Sequence, residues 1–471
     1  MTPPLDPRAR LSARVVISLL LLAACTPETT VAGDADAGAM PPPANAARDG
    51  DEAPAPAPAV IADDPDAPRY LEPSPDIVKV VDAPPTPLVA VDPTGRRLLQ
   101  ITRASLPGID VVAEPFLRLG GVRIGPRRNE RRRTEYFTGL SIKRLADAVE
   151  VPVNLPEGSL LGYPSWSFDG AHVAVTRAVD DGLELWIIDA ETGAARQLLD
   201  AKVTDVVGAA FTWLPGSRSL LVRLVPDPSA RPPEAPRVPS GPVVQDTVGR
   251  AAKNRTYQDL LANAHDSAVF EHFARSQLAR VDLKGAVTKL GAPGIYPDVD
   301  PSPDGARLLV TEIKRPYSYV VPYYWFTRDI TVWGEAGPER TIAALPASEE
   351  VPIQGVPEGP REVTWQPHRA SALVWAEALD GGDPERDVPQ RDKLMRLDLA
   401  ADGAPVELLR TDERLYDVTF TDVAELALVS EYDRDRRWLK TMIHTLDRPE
   451  RPPEVLIDRS VHDRYGDPGW P

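Results

Sequence analysis

Five arginines crowd into seven positions, Arg127, Arg128, Arg131, Arg132 and Arg133, interrupted only by Asn129 and Glu130. Guanidinium groups at that density can grip carboxylates at two points, the chemistry of contact with acidic peptides or an acidic partner. The competing reading is a solvated loop, neutralised by a chain that carries 70 acidic against 53 basic residues. A net charge of −17 speaks against nucleic acid as a partner, since that binding needs a basic face that releases counterions. Intrinsic catalysis finds less support. Gly139-Leu140-Ser141-Ile142-Lys143 and Gly216-Ser217-Arg218-Ser219-Leu220 both fail the G-x-S-x-G pattern, and no strand–turn–helix context surrounds either. His172, His265, His272, His368, His444 and His462 lack metal-ligand spacing; no H-E-x-x-H occurs. Glycine-rich phosphate loops, a Cys–His pair and matched carboxylates are also missing. No catalytic residue, metal or cofactor is expected.

The elements that would position these side chains are repeats. Asp300-Pro301-Ser302-Pro303-Asp304-Gly305 precedes the apolar run Leu308–Val310, and Ser165-Trp166-Ser167-Phe168-Asp169-Gly170 precedes Val173–Val175. Looser copies begin near Val91-Asp92-Pro93-Thr94-Gly95, Thr212-Trp213-Leu214-Pro215-Gly216, Thr364-Trp365-Gln366-Pro367 and Thr419-Phe420-Thr421-Asp422. Self-similarity of this kind decides the architecture before any local propensity does. Paired runs separated by short turns follow at Leu183–Asp189 with Ala195–Leu199, Gln277–Leu283 with Ala286–Leu290, and Lys393–Leu399 with Ala404–Leu409. Strand pairs at blade spacing, each led by an Asp/Pro/Gly turn, predict an all-β fold, a β-propeller with six visible blade repeats. A closed six-bladed ring and an incomplete seven-bladed one both remain open. The Pro-rich stretch 226–242 predicts a surface loop, and Asn254 to Ser276 a small helical insertion. In that insertion Tyr257, Leu260, Leu261 and Ala264 have helical spacing, and Asp266 is placed to cap a second short helix. The aromatic concentration from Lys314 to Phe326 reads either as the lining of a channel or domain face, or as an aromatic blade strand.

The N-terminus has its own signature. Arg8, Arg10 and Arg14 precede an apolar stretch, Val15 to Ala24, too short for a comfortable permanent span. It ends Leu22-Ala23-Ala24-Cys25, which resembles a bacterial lipoprotein box, and Cys25 is the single cysteine of the chain. That resemblance implies a signal peptide over 1–24, lipidation of Cys25, and anchoring in the bacterial cell envelope, at the outer membrane facing the periplasm. The alternative is an ordinary secretory signal with a chance cysteine. Residues 25–75, rich in Pro, Ala and Asp, cannot bury enough apolar surface to offset ordering and are expected to form an extended tether. The propeller domain is expected over 76–471.

Several ordered stretches resemble one family. They are Val81-Asp82-Ala83-Pro84-Pro85-Thr86-Pro87, Leu119-Gly120-Gly121-Val122-Arg123-Ile124, Tyr136-Phe137-Thr138-Gly139-Leu140 and Val238-Pro239-Ser240-Gly241-Pro242. Arg255-Thr256-Tyr257-Gln258-Asp259-Leu260-Leu261, Arg315-Pro316-Tyr317-Ser318 and the segment from Asp458-Arg459-Ser460 to Asp467-Pro468-Gly469 complete the set. Together they resemble the N-terminal propeller of the glutamyl endopeptidase branch of the prolyl oligopeptidase family of serine peptidases. The resemblance implies a propeller that filters peptides reaching a Ser-Asp-His triad on an α/β-hydrolase domain. No such domain is encoded in these residues, so no triad residue carries over. The expected function is therefore the non-catalytic propeller portion of such a peptidase, split or truncated, with a separate α/β-hydrolase chain and peptides as partners. The alternative is a stand-alone lipid-anchored binding or scaffold propeller.

Overall fold

The computed structural model describes residues 73–238, 256–400, 403–448 and 450–469. Cys25 and its flanking segment lie outside them. The chain forms two units, residues 14–84 and the remainder. The described part of the first carries the helix α1 (Pro75–Val81), entered through Pro75 at a position where a missing N–H costs nothing. Among the described residues no helix is long and apolar enough to cross a membrane.

In the larger unit antiparallel strands run in chain order as successive four-stranded blades. Blade 1 starts with β1 (Leu88–Val91) and β2 (Arg97–Arg103). An inserted helix α2 (Ile109–Ala113) and small sheet follow: β3 (Leu117–Leu119), β4 (Val122–Gly125) and β5 (Glu130–Arg131). The blade then ends with β6 (Phe137–Arg144) and β7 (Glu150–Pro152). Blade 2 has β8 (Leu160–Leu161) and β9 (Ser165–Trp166) sharing the innermost place, then β10 (His172–Val179), β11 (Gly182–Asp189) and β12 (Ala195–Gln197). Blade 3 comprises β13 (Phe211–Trp213), β14 (Ser219–Leu224), the helix α3 (Ala264–Ala274) as an insertion, β15 (Ser276–Asp282) and the first half of β16 (Val287–Pro301). The second half of β16 opens blade 4, with β17 (Leu308–Ile313), β18 (Arg328–Gly334) and β19 (Gly337–Leu345). Blade 5 is β20 (Arg361–Trp365), β21 (Ala372–Ala378), β22 (Asp392–Asp398) and β23 (Val406–Thr411). Blade 6 is β24 (Arg414–Phe420), β25 (Leu426–Asp433), β26 (Trp438–Thr445) and β27 (Glu454–Ser460).

The six turn segments read from the sequence all join the first and second strands of a blade. Their chemistry explains why they repeat. Ser302 Oγ donates to Asp304 at 2.6 Å and accepts from Arg307 N–H at 2.9 Å, while Asp304 accepts from Ala306 N–H. Ser167, Asp169, Ala171 and His172 make the same set in blade 2. Gly170 and Gly305 close these turns at φ of 67° and 72°, where a side chain would be strained.

Apolar clusters join neighbouring blades. Leu99, Ile142, Val173 and Val175 join blades 1 and 2; Leu185, Trp213 and Leu220 join 2 and 3; Leu221, Tyr296 and Val310 join 3 and 4. Leu309, Val332, Trp365 and Leu373 join 4 and 5, and Val374, Leu394, Ala427 and Val429 join 5 and 6. A tryptophan at the end of an innermost strand reinforces three of these contacts. Nε1–H of Trp166 donates to Ala90 C=O (3.2 Å), that of Trp213 to Ser165 C=O (3.1 Å), and that of Trp365 to Asp300 C=O (2.9 Å). Each bond runs from one blade to the innermost strand of the blade before it. Arg223 adds a buried link from blade 3 to blade 4, donating from Nε to Tyr296 C=O at 2.9 Å. Burial pushes it down to about 10, opposed by Asp298, so it stays charged at neutral pH. Among the described residues no apolar cluster and no strand pairing links blade 6 to blade 1. Val89 and Val91 on β1 and Tyr416 on β24 are exposed.

Two local expectations need correction. The helical insertion is shorter than expected: residues 256–263 are irregular, and α3 starts only after Asn263, whose side chain accepts from Asp266 N–H at 2.9 Å. Asp266 returns the bond by accepting from Ala262 N–H, a reciprocal cap that makes Asn263 the capping residue. Asp259 sits at φ 60°, which breaks any helix running through Tyr257 to Ala264. The aromatic segment 314–326 is not a blade strand; it is a loop with one 3-10 turn, Tyr323–Trp325, between β17 and β18.

Candidate functional site

In a four-stranded meander the turns alternate between the two ends of the blade. The loops joining second to third strands therefore share one face of the propeller with the connections between blades. The second-to-third loops of blades 1, 3 and 4 are long, and they meet in one cap on that face. Leu119, Val122 and Ile124 from the small sheet pack with Leu261, Phe270 and Phe273, with Val321, Tyr323 and Phe326, and with Val206 and Val207 of the connection between blades 2 and 3. Gly121 N–H donates to Asp259 C=O at 2.8 Å, and Tyr323 N–H to Gly120 C=O at 2.7 Å. Gly120 and Gly121, at φ of 61° and 80°, form the two-residue turn of the β3–β4 hairpin. They are glycines for a second reason. A Cβ on Gly121 would lie 2.4 Å from Pro322, and one on Gly120 3.2 Å from the Phe270 ring.

The arginine run lies along this cap, and the structure divides it. Arg127, half-exposed, pairs with Asp180 in the tight turn of blade 2. Arg128 reaches Glu114 at 2.8 Å, Glu130 at 3.3 Å and Val179 C=O at 3.0 Å. Burial lowers its pKa, but Glu114 and Glu130 outweigh that and hold it above its ordinary value. Burial pushes Glu130 up, against the hydrogen bond it accepts from Tyr136 at 2.7 Å. Arg131 faces Tyr323, and Arg133 pairs with Asp205. Arg132 donates to Val111 C=O at 2.6 Å and Val112 C=O at 2.9 Å. The five guanidinium groups thus meet different partners: Arg127 and Arg128 lie in the turn before β5, and alternation along β5 and its extension separates Arg132 from Arg131 and Arg133.

A different basic cluster does form. In the β3–β4 hairpin Arg118 stands directly opposite Arg123, on the face away from Leu119 and Val122. Arg132 N–H bonds Arg123 C=O at 2.8 Å, which puts Arg132 next in the row. All three guanidinium carbons approach one ring, that of Phe116, at 5.2, 5.7 and 5.5 Å. Asp259 serves as counter-charge, 2.8 Å from Arg123 and 3.9 Å from Arg118. Arg118 and Arg123 were missed as candidates because each is a lone cation in its own strand. The signal was the alternation Leu117-Arg118-Leu119 and Val122-Arg123-Ile124 around a Gly-Gly turn, which puts both on one face.

The same face carries an ionic knot between blades 5 and 6. Asp380 and Asp392, both fully buried, are shared by Arg361, Arg391 and Arg414, and Asp392 also accepts Leu415 N–H at 2.7 Å. On the opposite side of these two blades Asp447 bridges Arg369 (2.8 Å) and Arg396. Partial burial raises Asp447, but hydrogen bonds and charge from Arg396 and Arg369 outweigh it and hold the carboxyl below its ordinary range.

The repeated four-stranded blades and their inter-blade cores define a β-propeller with a cap built from its own loops. The chain is 35% identical over 420 residues to a probable chloroplastic glutamyl endopeptidase of Oryza sativa subsp. japonica, covering 85% of this chain and 45% of that protein. It is 35% identical over 418 residues to the probable chloroplastic glutamyl endopeptidase of Arabidopsis thaliana, covering 85% and 43%. The likeness to glutamyl endopeptidases that the ordered motifs carried thus extends over 85% of the chain, the stretch that folds as blades. The chain spans less than half the length of these curated relatives. No family model matches it. Among solved structures, the propeller domain of the trilobed protease of Pyrococcus furiosus aligns with a TM-score of 0.35 at 13% identity, over 79% of this chain and 94% of that one.

Proposed function

We propose that this chain is the non-catalytic propeller of a glutamyl endopeptidase-like serine peptidase, controlling which peptides reach a hydrolase site supplied by other residues. The observation that carries this reading is the 35% identity to two glutamyl endopeptidases over a stretch that folds as blades. The cap supports the filtering role: three loops from separate blades interlock through backbone hydrogen bonds on one face. Lipid attachment through Cys25, placing the complex at a bacterial membrane, belongs to the same proposal.

The experiment is to produce the chain alone and together with an α/β-hydrolase partner from a glutamyl endopeptidase. Cleavage of glutamate-containing peptides is then compared with cleavage of a folded protein. The chain alone is expected to be inactive, and the assembled pair to cleave the peptides while sparing the folded protein. Absence of any association with the hydrolase would overturn the proposal in favour of a stand-alone binding propeller, stable alone and holding a ligand of its own.

A further inference from the structure

The arginine row of the cap sheet calls for an explanation in terms of what it binds. Like charges directly opposite in neighbouring strands destabilise a sheet, and here three sit side by side across β3, β4 and the extension of β5. The row is not diluted by solvent alone. Phe116 collects all three guanidinium groups on one ring, so they are held together instead of splaying apart. Counter-charge is short: Asp259 faces Arg118 and Arg123, and the Nη2 group of Arg132 donates to backbone carbonyls that carry no net charge. Arg132 Nε is buried without a hydrogen-bond partner. Arg118 and Arg123 remain 62% and 49% exposed, so their free donors point where a ligand can reach them. A chain with net charge −17 keeps this excess of positive charge on the one small sheet that its three longest loops hold in place.

We propose that Arg118 and Arg123, arranged on Phe116 with Arg132 adding its positive charge to the row, form a binding site for carboxylate side chains of an acidic peptide. Guanidinium groups fixed in a row match carboxylates two-point, and ordering them beforehand lowers what binding costs. A polyanion such as nucleic acid is disfavoured by the chain's net charge of −17. The choice of a peptide among anions rests on the peptidase-propeller reading above; the basic site itself stands on the geometry.

The test uses the full chain and a fluorescently labelled peptide with four consecutive glutamates, against the same peptide with four glutamines. Anisotropy titrations at low and high salt read the affinity. The glutamate peptide is expected to bind at least tenfold tighter than its glutamine counterpart, with the preference shrinking at high salt as exposed charges are screened. The R118Q/R123Q double variant should lose that preference, and R118Q alone should lose part of it. Folding of each variant is checked by circular dichroism, and R118Q, which leaves the 2.8 Å Arg123–Asp259 pair in place, keeps the test readable if the double variant is destabilised. Equal binding of the two peptides, or an unchanged double variant, would overturn the site. Inorganic phosphate or an oligonucleotide binding as tightly as the glutamate peptide would overturn the peptide assignment. No hydrolase is involved, so the outcome separates from the peptidase reading. Loss of peptide preference with association to the hydrolase intact sinks only this site, and the reverse result sinks only that reading.

Discussion

Removal of Trp365 tests whether the blades are held by specific inter-blade bonds or by apolar contact alone. Trp365 is fully buried between blades 4 and 5, and its Nε1–H reaches Asp300 C=O at 2.9 Å. Trp365→Phe removes that bond, a net loss of about 1 kcal/mol. It also shrinks the ring by roughly 40 Å3, which at about 24 cal/mol per Å3 of unfilled cavity adds ~1 kcal/mol. Trp365→Ala empties the site and should cost about 3–5 kcal/mol. Trp375→Phe is the control, since Trp375 is also buried but bonds Glu377 in its own strand at 2.7 Å. A protein of many blades need not unfold in one step, so native-state amide exchange is the better assay. Trp365→Ala should accelerate exchange of β17 and β21 together, by roughly 100- to 4000-fold at tenfold per 1.4 kcal/mol, while β2 and β6 stay as protected as before. Trp365→Phe should do the same by a smaller factor, and Trp375→Phe less again. Acceleration confined to blade 5, or an alanine variant costing under about 1 kcal/mol, would refute the claim that this residue couples the two blades.

Two further outcomes follow. Asp447 is held below its ordinary range by Arg396 and Arg369, so it contributes stability above the ordinary carboxyl value of 3.8 that is lost as pH falls through its lowered folded value. The melting-temperature gap between the parent and Asp447→Asn should therefore be present at neutral pH and close on acidification below that value; a gap independent of pH would contradict the pairing. Cells fed an alkyne fatty acid should label the full-length chain, and Cys25→Ser should abolish both the label and its recovery with membranes. A labelled Cys25→Ser variant would end the lipid-anchor proposal.

The propeller was legible because its turns repeat a local chemistry. A serine or aspartate accepting from backbone N–H groups four or five residues on, with glycine at positive φ, is written in adjacent residues and needs no tertiary information. The cap was not legible in the same way. Its three loops meet only through partners far apart in the chain, such as Gly120 with Tyr323 and Gly121 with Asp259. The aromatic segment 314–326 looked like a strand or a lining because its apolar residues serve that cap cluster. The arginine run shows the converse: Arg131, Arg132 and Arg133, neighbours in sequence, alternate along a strand, whereas Arg118 and Arg123, five apart, are brought together by a hairpin.

The apolar interfaces that join blades 1 to 6 in succession tie the protection of each blade to that of its neighbours, as in a repeat array whose stability is a sum of nearest-neighbour couplings. Weakening one interface should therefore lower the protection of the two blades it joins first, and reach a more distant blade only through those in between.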